Sequence, residues 1–173
     1  WVAVIRDGLY MVDDQLHITS YAVPKGVADE HTLAVAQINV LTVDNDDTLW
    51  IGYEGGELSH LDPATGLFTH YFADLEGNPG GKVNDILVSE NGRLWLATNE
   101  GLTHFDPETE IFTPFTEKEG LPTALITAVL QDDDGMIWAS TTKGLVEWNP
   151  QTNSVIHVYG IEDGLQGNQF TDN

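Results

Sequence analysis

Six histidines are the side chains that most directly suggest metal binding or acid–base catalysis in this sequence. Four of them fall into two pairs at matching positions of an internal repeat, His60 with His104 and His70 with His157. Equivalent positions of neighbouring repeats lie about one repeat apart, too far to share an ion that needs ligands at about 2 Å. We therefore interpret these histidines as structural and predict no metal site.

Two short acidic runs offer the oxygen ligands that calcium prefers. They are residues 44–47, Asp-Asn-Asp-Asp, and residues 132–135, Asp-Asp-Asp-Gly. Each run lies where the repeat predicts a tight turn, and neither belongs to a twelve-residue calcium loop that closes with glutamate. Because Asp, Asn and Gly are also favoured in turns, turn chemistry accounts for both runs without a bound ion.

The sequence lacks the motifs of the common catalytic sites. It contains no G-x-S-x-G elbow, no phosphate-binding glycine loop and no H-E-x-x-H helix, and it has no cysteine for a disulfide or a thiolate metal site. We predict no catalytic residue and no cofactor. A glycosidase or lyase with its carboxylates spread over several repeats would leave no spacing signature, so this alternative stays open.

The charge balance excludes other classes of partner. Six Lys and Arg residues stand against 28 Asp and Glu residues, and the formal charge of −22 repels nucleic acids and anionic membrane surfaces. No apolar run approaches the roughly 20 residues of a membrane-spanning helix. Because the sequence begins at Trp1, inside a predicted strand and without a signal peptide, we expect it to be a piece of a longer chain.

The elements that must position these residues are clearest in residues 83–115. Four short apolar runs are separated there by Asn91-Gly92, by Gly101 and by Asp106-Pro107. Asn-Gly predicts a hairpin with a type I′ turn, because both residues accept positive φ. Asp-Pro predicts a type I turn with Asp first and Pro second. The stretch therefore predicts four antiparallel strands of about five residues each.

The same unit recurs along the chain, and tryptophans mark it. Trp50, Trp95 and Trp138 are spaced by 45 and 43 residues, and Trp1 lies another 49 residues upstream. A period of roughly 40 to 50 residues that contains four strands is typical of β-propeller blades. The predicted fold is all-β, a β-propeller of four-stranded antiparallel blades with the three internal tryptophans buried between blades.

The predicted blades cover most of the chain. An incomplete blade occupies 1–21, complete blades occupy 38–72, 83–116 and 126–159, and a further blade starts at 168–173. An incomplete ring leaves two blade faces uncovered, so we expect the remaining blades of the same propeller, or a second copy of the chain, to cover them. The net charge opposes pairing of two copies at low salt and permits it as screening increases.

Three segments carry a resemblance to a known family. They are L-W-L-A-T-N-E-G-L-T-H-F-D-P-E-T at 94–109, its counterpart I-W-A-S-T-T-K-G-L-V-E-W-N-P-Q-T at 137–152, and E-D-G-L-Q-G-N-Q-F at 162–170. Together they resemble two-component regulator propeller repeats. The second blade departs from the pattern at Glu57, an extra residue before the third strand, and at Asp46-Asp47, which replaces Asn-Gly or Asp-Gly.

This resemblance implies a ligand-binding sensor domain of a bacterial hybrid histidine kinase or diguanylate cyclase. Such domains are periplasmic seven-bladed propellers, so the chain would supply about half of a ring. The resemblance implies a receptor module that binds a ligand and does not catalyse a reaction. A propeller that serves as a protein-interaction scaffold is the alternative, and it would show an apolar patch in place of polar ligand contacts.

We predict that the ligand binds on the face formed by the loops between second and third strands and by the connections between blades. The loop residues predicted to contact it are Arg6, Tyr53, Glu54, Asn99, Glu100, Thr142 and Lys143. The first strands add Asn39, Asn84, Asp85 and Thr127 beside the channel mouth. This mixture of amide, aromatic and isolated basic groups suits a polar saccharide or an anionic sugar derivative.

Overall fold

The computed structural model describes residues 1–4, 7–22, 28–35, 37–72 and 80–170, which form four β-sheets. The first sheet contains β1 (Val2–Val4), β2 (Gly8–Val12) and β3 (Ile18–Ala22). The second contains β4 (Ile38–Val43), β5 (Leu49–Tyr53), β6 (Leu58–Asp62) and β7 (Leu67–Tyr71). The third contains β8 (Val83–Val88), β9 (Leu94–Thr98), β10 (Gly101–Asp106) and β11 (Ile111–Phe115). The fourth contains β12 (Ile126–Gln131), β13 (Ile137–Thr141), β14 (Gly144–Asn149) and β15 (Ser154–Tyr159).

Each sheet is an antiparallel meander in which every strand pairs with the next along the chain. The complete sheets meet through their first strands, because β4 contacts β8 and β8 contacts β12. Short 3₁₀ helices, Glu117–Glu119 and Ile161–Asp163, follow the third and fourth sheets. Successive four-stranded meanders joined along their first strands are propeller blades, so the predicted fold class is confirmed.

The first hairpin turn of the third blade differs from the predicted type I′ turn. Gly92 has a φ of 76°, but Asn91 does not have the positive φ that a type I′ turn also requires. The Gly92 amide donates to the Ser89 carbonyl at 2.9 Å, and the Asn91 side chain accepts from the Arg93 amide at 3.1 Å. The loop therefore has a single left-handed residue, and Asp47 fills that position in the second blade with a φ of 65°.

The Asp-Pro turn predicted at Asp106-Pro107 is present, and Asp62-Pro63 and Asn149-Pro150 form the same turn between third and fourth strands of the other two complete blades. The side chain at the first position accepts a hydrogen bond from the amide two residues on, at 2.8 to 3.0 Å. The turn closes with a left-handed residue in each blade, at Gly66, Glu110 and Asn153. Side-chain capping at the start and a left-handed residue at the end together reverse the chain.

The core lies between blades, as predicted, for two of the three internal tryptophans. Trp50 and Trp95 are 2% and 4% exposed. Trp50 meets Phe105 of the next blade edge-on, with 6.3 Å between ring centroids. Trp138 is only half-buried, which corrects the prediction, because no strand of a following blade covers it within the described residues. It packs instead on Tyr159 of its own blade at 5.4 Å.

Candidate functional site

In the third and fourth blades, buried threonines fix the loops between second and third strands. In the third blade the Thr98 hydroxyl donates to the Gly101 carbonyl at 2.9 Å and accepts from the Glu100 amide at 3.1 Å. Thr141 and Gly144 repeat the first of these bonds in the fourth blade at 2.8 Å. Because the threonine closes the loop from inside, the two residues between threonine and glycine project outwards on a rigid support.

The same loops are held against the connections between blades. The backbone amide of Asn99 donates to the Lys82 carbonyl at 3.2 Å, and the Lys143 ammonium donates to the Pro122 carbonyl at 2.8 Å. The Lys82 ammonium also lies 3.9 Å from the Glu54 carboxylate of the preceding blade. These loops and connections therefore lie side by side and form the polar surface at this end of the strands.

The structure brings five of the predicted loop residues onto this surface, which we name the loop face. Its members are Glu54, Asn99, Glu100, Thr142 and Lys143. Four of them are exposed, and Thr142 is half-buried at the loop position that Asn99 occupies one blade earlier. Arg6, the remaining basic residue predicted here, lies outside the described residues.

Tyr53 lies in the core and not on the loop face, which corrects its predicted position. Its side chain has no exposed surface. Its hydroxyl accepts from the Ala34 amide at 3.3 Å and lies 3.0 Å from the Ser59 hydroxyl. Burial raises the pKa of Tyr53 to about 12. The sequence position suggested a loop residue, but β5 extends through Tyr53 and turns its ring inwards.

The predicted first-strand residues hold neighbouring blades together. Asn39 and Asn84 each donate through the side-chain amide to the carbonyl of the residue that starts the next first strand, at 2.6 and 2.7 Å. Thr127 donates in the same way to the Phe170 carbonyl at 3.2 Å. Asp85 accepts from a backbone amide of β12 at 2.9 Å. These polar groups therefore face the next blade and already have partners there.

A β-bulge explains the direction of these side chains. The pairing between first and second strands shifts by one residue at Asn39, at Asn84 and at Thr127. The bulged residue has no opposite residue on the second strand, and the local bend turns its side chain away from the regular pattern. The Thr127 hydroxyl also lies 2.8 Å from the Ser140 hydroxyl of its own sheet. We call Asn39, Asn84 and Thr127 the inter-blade clamps.

A cleft of about 820 Å³ lies between the third and fourth blades, at the end of the strands opposite the loop face. Its lining side chains include Ser89, Glu90, Arg93, Trp95, His104, Gln131 and Asp133. The acidic runs and the histidines of the sequence do not indicate this site, because its signal is a difference between blades at the first position of the first hairpin turn. The available signal was Ser89, which stands where the other two complete blades have Asp44 and Asp132.

The histidines of the third strands pack on tryptophans of their own blades. The ring centroids of His60 and Trp50 are 4.2 Å apart, and those of His104 and Trp95 are 4.9 Å apart. The described residues contain no group of three or more His, Asp or Glu side chains placed to hold a metal ion. None of the helices in the described ranges has the length and apolar character needed to cross a membrane.

Meander sheets joined through their first strands, with polar loops at one end, define this chain as part of a β-propeller repeat protein. The repeat family follows from the sequence. Residues 77–100 and 120–143 match the family model described as two component regulator propeller. The predicted resemblance to two-component regulator propeller repeats is confirmed at these two segments.

Solved structures share this fold. The extracellular domain of the putative hybrid two component system BT3049 from B. thetaiotaomicron is 24% identical, with a TM-score of 0.77 over 90% of this chain and 21% of that chain. The corresponding domain of BT4673 from the same organism is 22% identical, with a TM-score of 0.70 over 89% of this chain and 23% of that chain. This chain thus spans about a fifth of each domain.

A more distant match is a catalytically inactive virginiamycin B lyase from Staphylococcus aureus. It is 14% identical, with a TM-score of 0.66 over 87% of this chain and 47% of that chain. At this identity the likeness concerns the fold alone. A search of curated proteins found no significant match.

Proposed function

We propose that this chain is the ligand-sensing part of an extracytoplasmic propeller receptor in bacterial signal transduction, and that it binds a ligand without catalysing a reaction. The observation that carries the proposal is the loop face, where polar side chains of three successive blades lie at the same end of the strands on loops that hydrogen bonds hold in place. Two relatives described as extracellular domains of hybrid two component systems support the receptor role and the extracytoplasmic location. The matched repeat family supports the same role.

The chemistry of the loop face suits a polar saccharide or an anionic sugar derivative. Asn99 supplies an amide that both donates and accepts hydrogen bonds, and Lys143 supplies an ammonium group for a hydroxyl or a carboxylate. Glu54 and Glu100 accept hydrogen bonds from ligand hydroxyls. Because hydrogen bonds already fix the loops, binding orders few additional groups and loses little free energy to entropy.

Ligand-induced melting shifts measured over a panel of neutral and acidic saccharides test this proposal. We expect at least one saccharide to raise the melting temperature, and we expect Asn99→Ala and Lys143→Ala to reduce that shift. Gln151→Ala is the matched control, because Gln151 is an exposed amide in a turn at the opposite end of the strands. Unchanged shifts in both loop variants would overturn the loop-face assignment, and the absence of any shift over the panel would overturn the ligand class.

A further inference from the structure

The three complete blades differ at the indole N–H of their second-strand tryptophan. In the second blade Trp50 donates to the Asp44 carboxylate at 3.0 Å. In the fourth blade Trp138 donates to the Asp132 carboxylate at 2.7 Å. The third blade has Ser89 in place of the aspartate, and the Trp95 indole N–H has no hydrogen-bond partner among the described residues.

The Trp95 indole is buried and yet borders the cleft between the third and fourth blades. It is 4% exposed and lies in the cleft wall beside Ser89. The turn closes with the same backbone hydrogen bond in both blades. The Ser89 amide donates to the Arg93 carbonyl at 2.8 Å, as the Asp44 amide donates to the Thr48 carbonyl in the second blade.

The Trp95 ring also lies on Phe115 as the Trp50 ring lies on Tyr71, with 5.9 Å between ring centroids in both blades. The Trp95 N–H therefore faces the turn that carries Asp44 in the second blade and Ser89 here, where the cleft is open. An N–H that has no protein acceptor and borders a cleft is available to a ligand oxygen that takes the place of water.

His104 adds a second group without a partner in the same wall. In the second blade the equivalent His60 lies 2.7 Å from the Thr48 hydroxyl. In the third blade Arg93 replaces that threonine, and its guanidinium pairs with Asp106 at 2.9 Å. No hydrogen bond joins His104 to another described residue. Burial, helped by the nearby Arg93 charge, lowers the pKa of His104, so the neutral ring offers one donor and one acceptor.

The charge of the cleft selects the kind of ligand. Glu90 and Asp133 are exposed carboxylates at its rim, whereas the charge of Arg93 is matched by its ion pair. An anionic ligand would be repelled by the rim. A neutral ligand with many hydroxyl groups presents oxygens to Trp95 and His104 and donates hydroxyl hydrogens to the carboxylates. The cleft volume of about 820 Å³ falls within the roughly 300 to 1,000 Å³ of small-molecule sites.

We propose that this cleft is a binding site for a neutral polyhydroxylated molecule of sugar size, whose oxygens accept hydrogen bonds from the Trp95 indole and the His104 imidazole. Ser89 makes the site possible, because the aspartate found in the other blades would fill the position of the ligand oxygen. The site shares no residue with the loop face. It stands independently of the ligand-sensing function proposed for that face.

NMR of the tryptophan indole N–H signals tests the site in the complete chain. D-Glucose, D-galactose and maltose are titrated as probes, and the Trp95 signal is assigned by its loss in Trp95→Phe. We expect a saturable shift of the Trp95 signal, while the Trp50 and Trp138 signals stay in place because aspartates already hold those N–H groups. The absence of a saturable Trp95 shift with all three sugars overturns the proposal.

Variants at the cleft make the test specific. Ser89→Asp supplies the carboxylate of the other blades, so we expect sugar binding to weaken at least about tenfold and the melting temperature to rise. Asn45→Asp adds the same charge in the equivalent turn of the second blade, away from the cleft, and should retain binding. Full binding by Ser89→Asp contradicts the assignment.

Two further arms separate the alternatives. D-Glucuronate should bind at least about tenfold more weakly than D-glucose at low salt, because the rim is acidic. Tighter binding of D-glucuronate contradicts the choice of a neutral ligand. Asn99→Ala and Lys143→Ala change the loop face only, so they should leave the Trp95 shift intact. Failure of the cleft and failure of the loop face are thus distinguishable.

Discussion

Single residues with left-handed backbone show where the fold imposes a conformation on an unsuitable side chain. The turns between third and fourth strands close with Gly66, Glu110 and Asn153 in the three complete blades. Glycine adopts this conformation without strain and asparagine adopts it readily, whereas a glutamate in this conformation is strained. Glu110 nevertheless has a φ of 58°, because the strands on both sides fix the path of the turn.

We expect Glu110→Gly to stabilise the chain by about 0.5 to 1 kcal/mol. Removing the Cβ relieves a strain of roughly 1 to 2 kcal/mol, and the greater flexibility of glycine in the unfolded chain cancels part of this gain. Urea unfolding measures the change. Glu108→Gly is the matched control, since Glu108 is exposed in the same turn and has no positive φ. Equal effects of the two substitutions would show that the backbone at Glu110 is not strained.

Tyr53 makes stability depend on pH in the alkaline range. Its pKa of about 12 in the fold exceeds the ordinary value of 10.0, so the neutral hydroxyl stabilises the fold fully below pH 10. This contribution, on the order of 2 to 3 kcal/mol, is lost as the pH rises from about 10 to 12. Denaturation across this range should show a shallower fall in unfolding free energy for Tyr53→Phe than for the parent chain. Parallel slopes would mean that Tyr53 ionises as in the unfolded chain.

At the scale of the element, strand positions could be predicted and strand irregularities could not. Apolar runs broken by turn residues predicted the third blade at 83–116, and its strands run from Val83 to Phe115. Asn91-Gly92 is compatible with more than one hairpin turn, so the turn type needed the backbone itself. A bulge depends on how two strands pair, so the sequence of one strand does not predict it. Asn39 and Asn84 therefore looked like ligand residues, although they bind the next blade.

The inter-blade clamps have a measurable effect on stability. Asn84→Ala removes the 2.7 Å bond to the Ile126 carbonyl and should destabilise the chain by about 1 to 2 kcal/mol. Asn84→Thr should restore part of this loss, because Thr127 forms the equivalent bond with a hydroxyl. Asn45→Ala, at an exposed turn asparagine, serves as the control and should change the unfolding free energy little. Equal stability of Asn84→Ala and the parent chain would contradict the clamp.

At the scale of the whole molecule, the two outer blade faces carry exposed apolar side chains. Val2 and Val4 of β1 are 51% and 40% exposed, and Leu130 and Ile156 of the fourth blade are 56% and 51% exposed. The central interfaces were predictable because a regular tryptophan period implies that every blade packs in the same way. The half-burial of Trp138 follows only when the neighbours of each blade are counted.

We expect the outer faces to associate with each other, or with further blades of the same propeller, and salt should control pairing between copies. The charge of −22 opposes pairing at low ionic strength, and the opposition weakens as the Debye length falls from roughly 30 Å at 0.01 M to roughly 3 Å at 1 M. Sedimentation should therefore show association that increases with salt. Leu130→Glu and Ile156→Glu should reduce it, whereas a monomer at every salt concentration would contradict this expectation.

The inter-blade clamps also make the array directional. Each clamp donates from one blade to a carbonyl 42 to 44 residues further along the chain, never backwards. The third and fourth blades thus each have a donating side and an accepting side. A duplicated copy of the third blade would therefore find a clamp donor on the blade before it and a clamp acceptor on the blade after it.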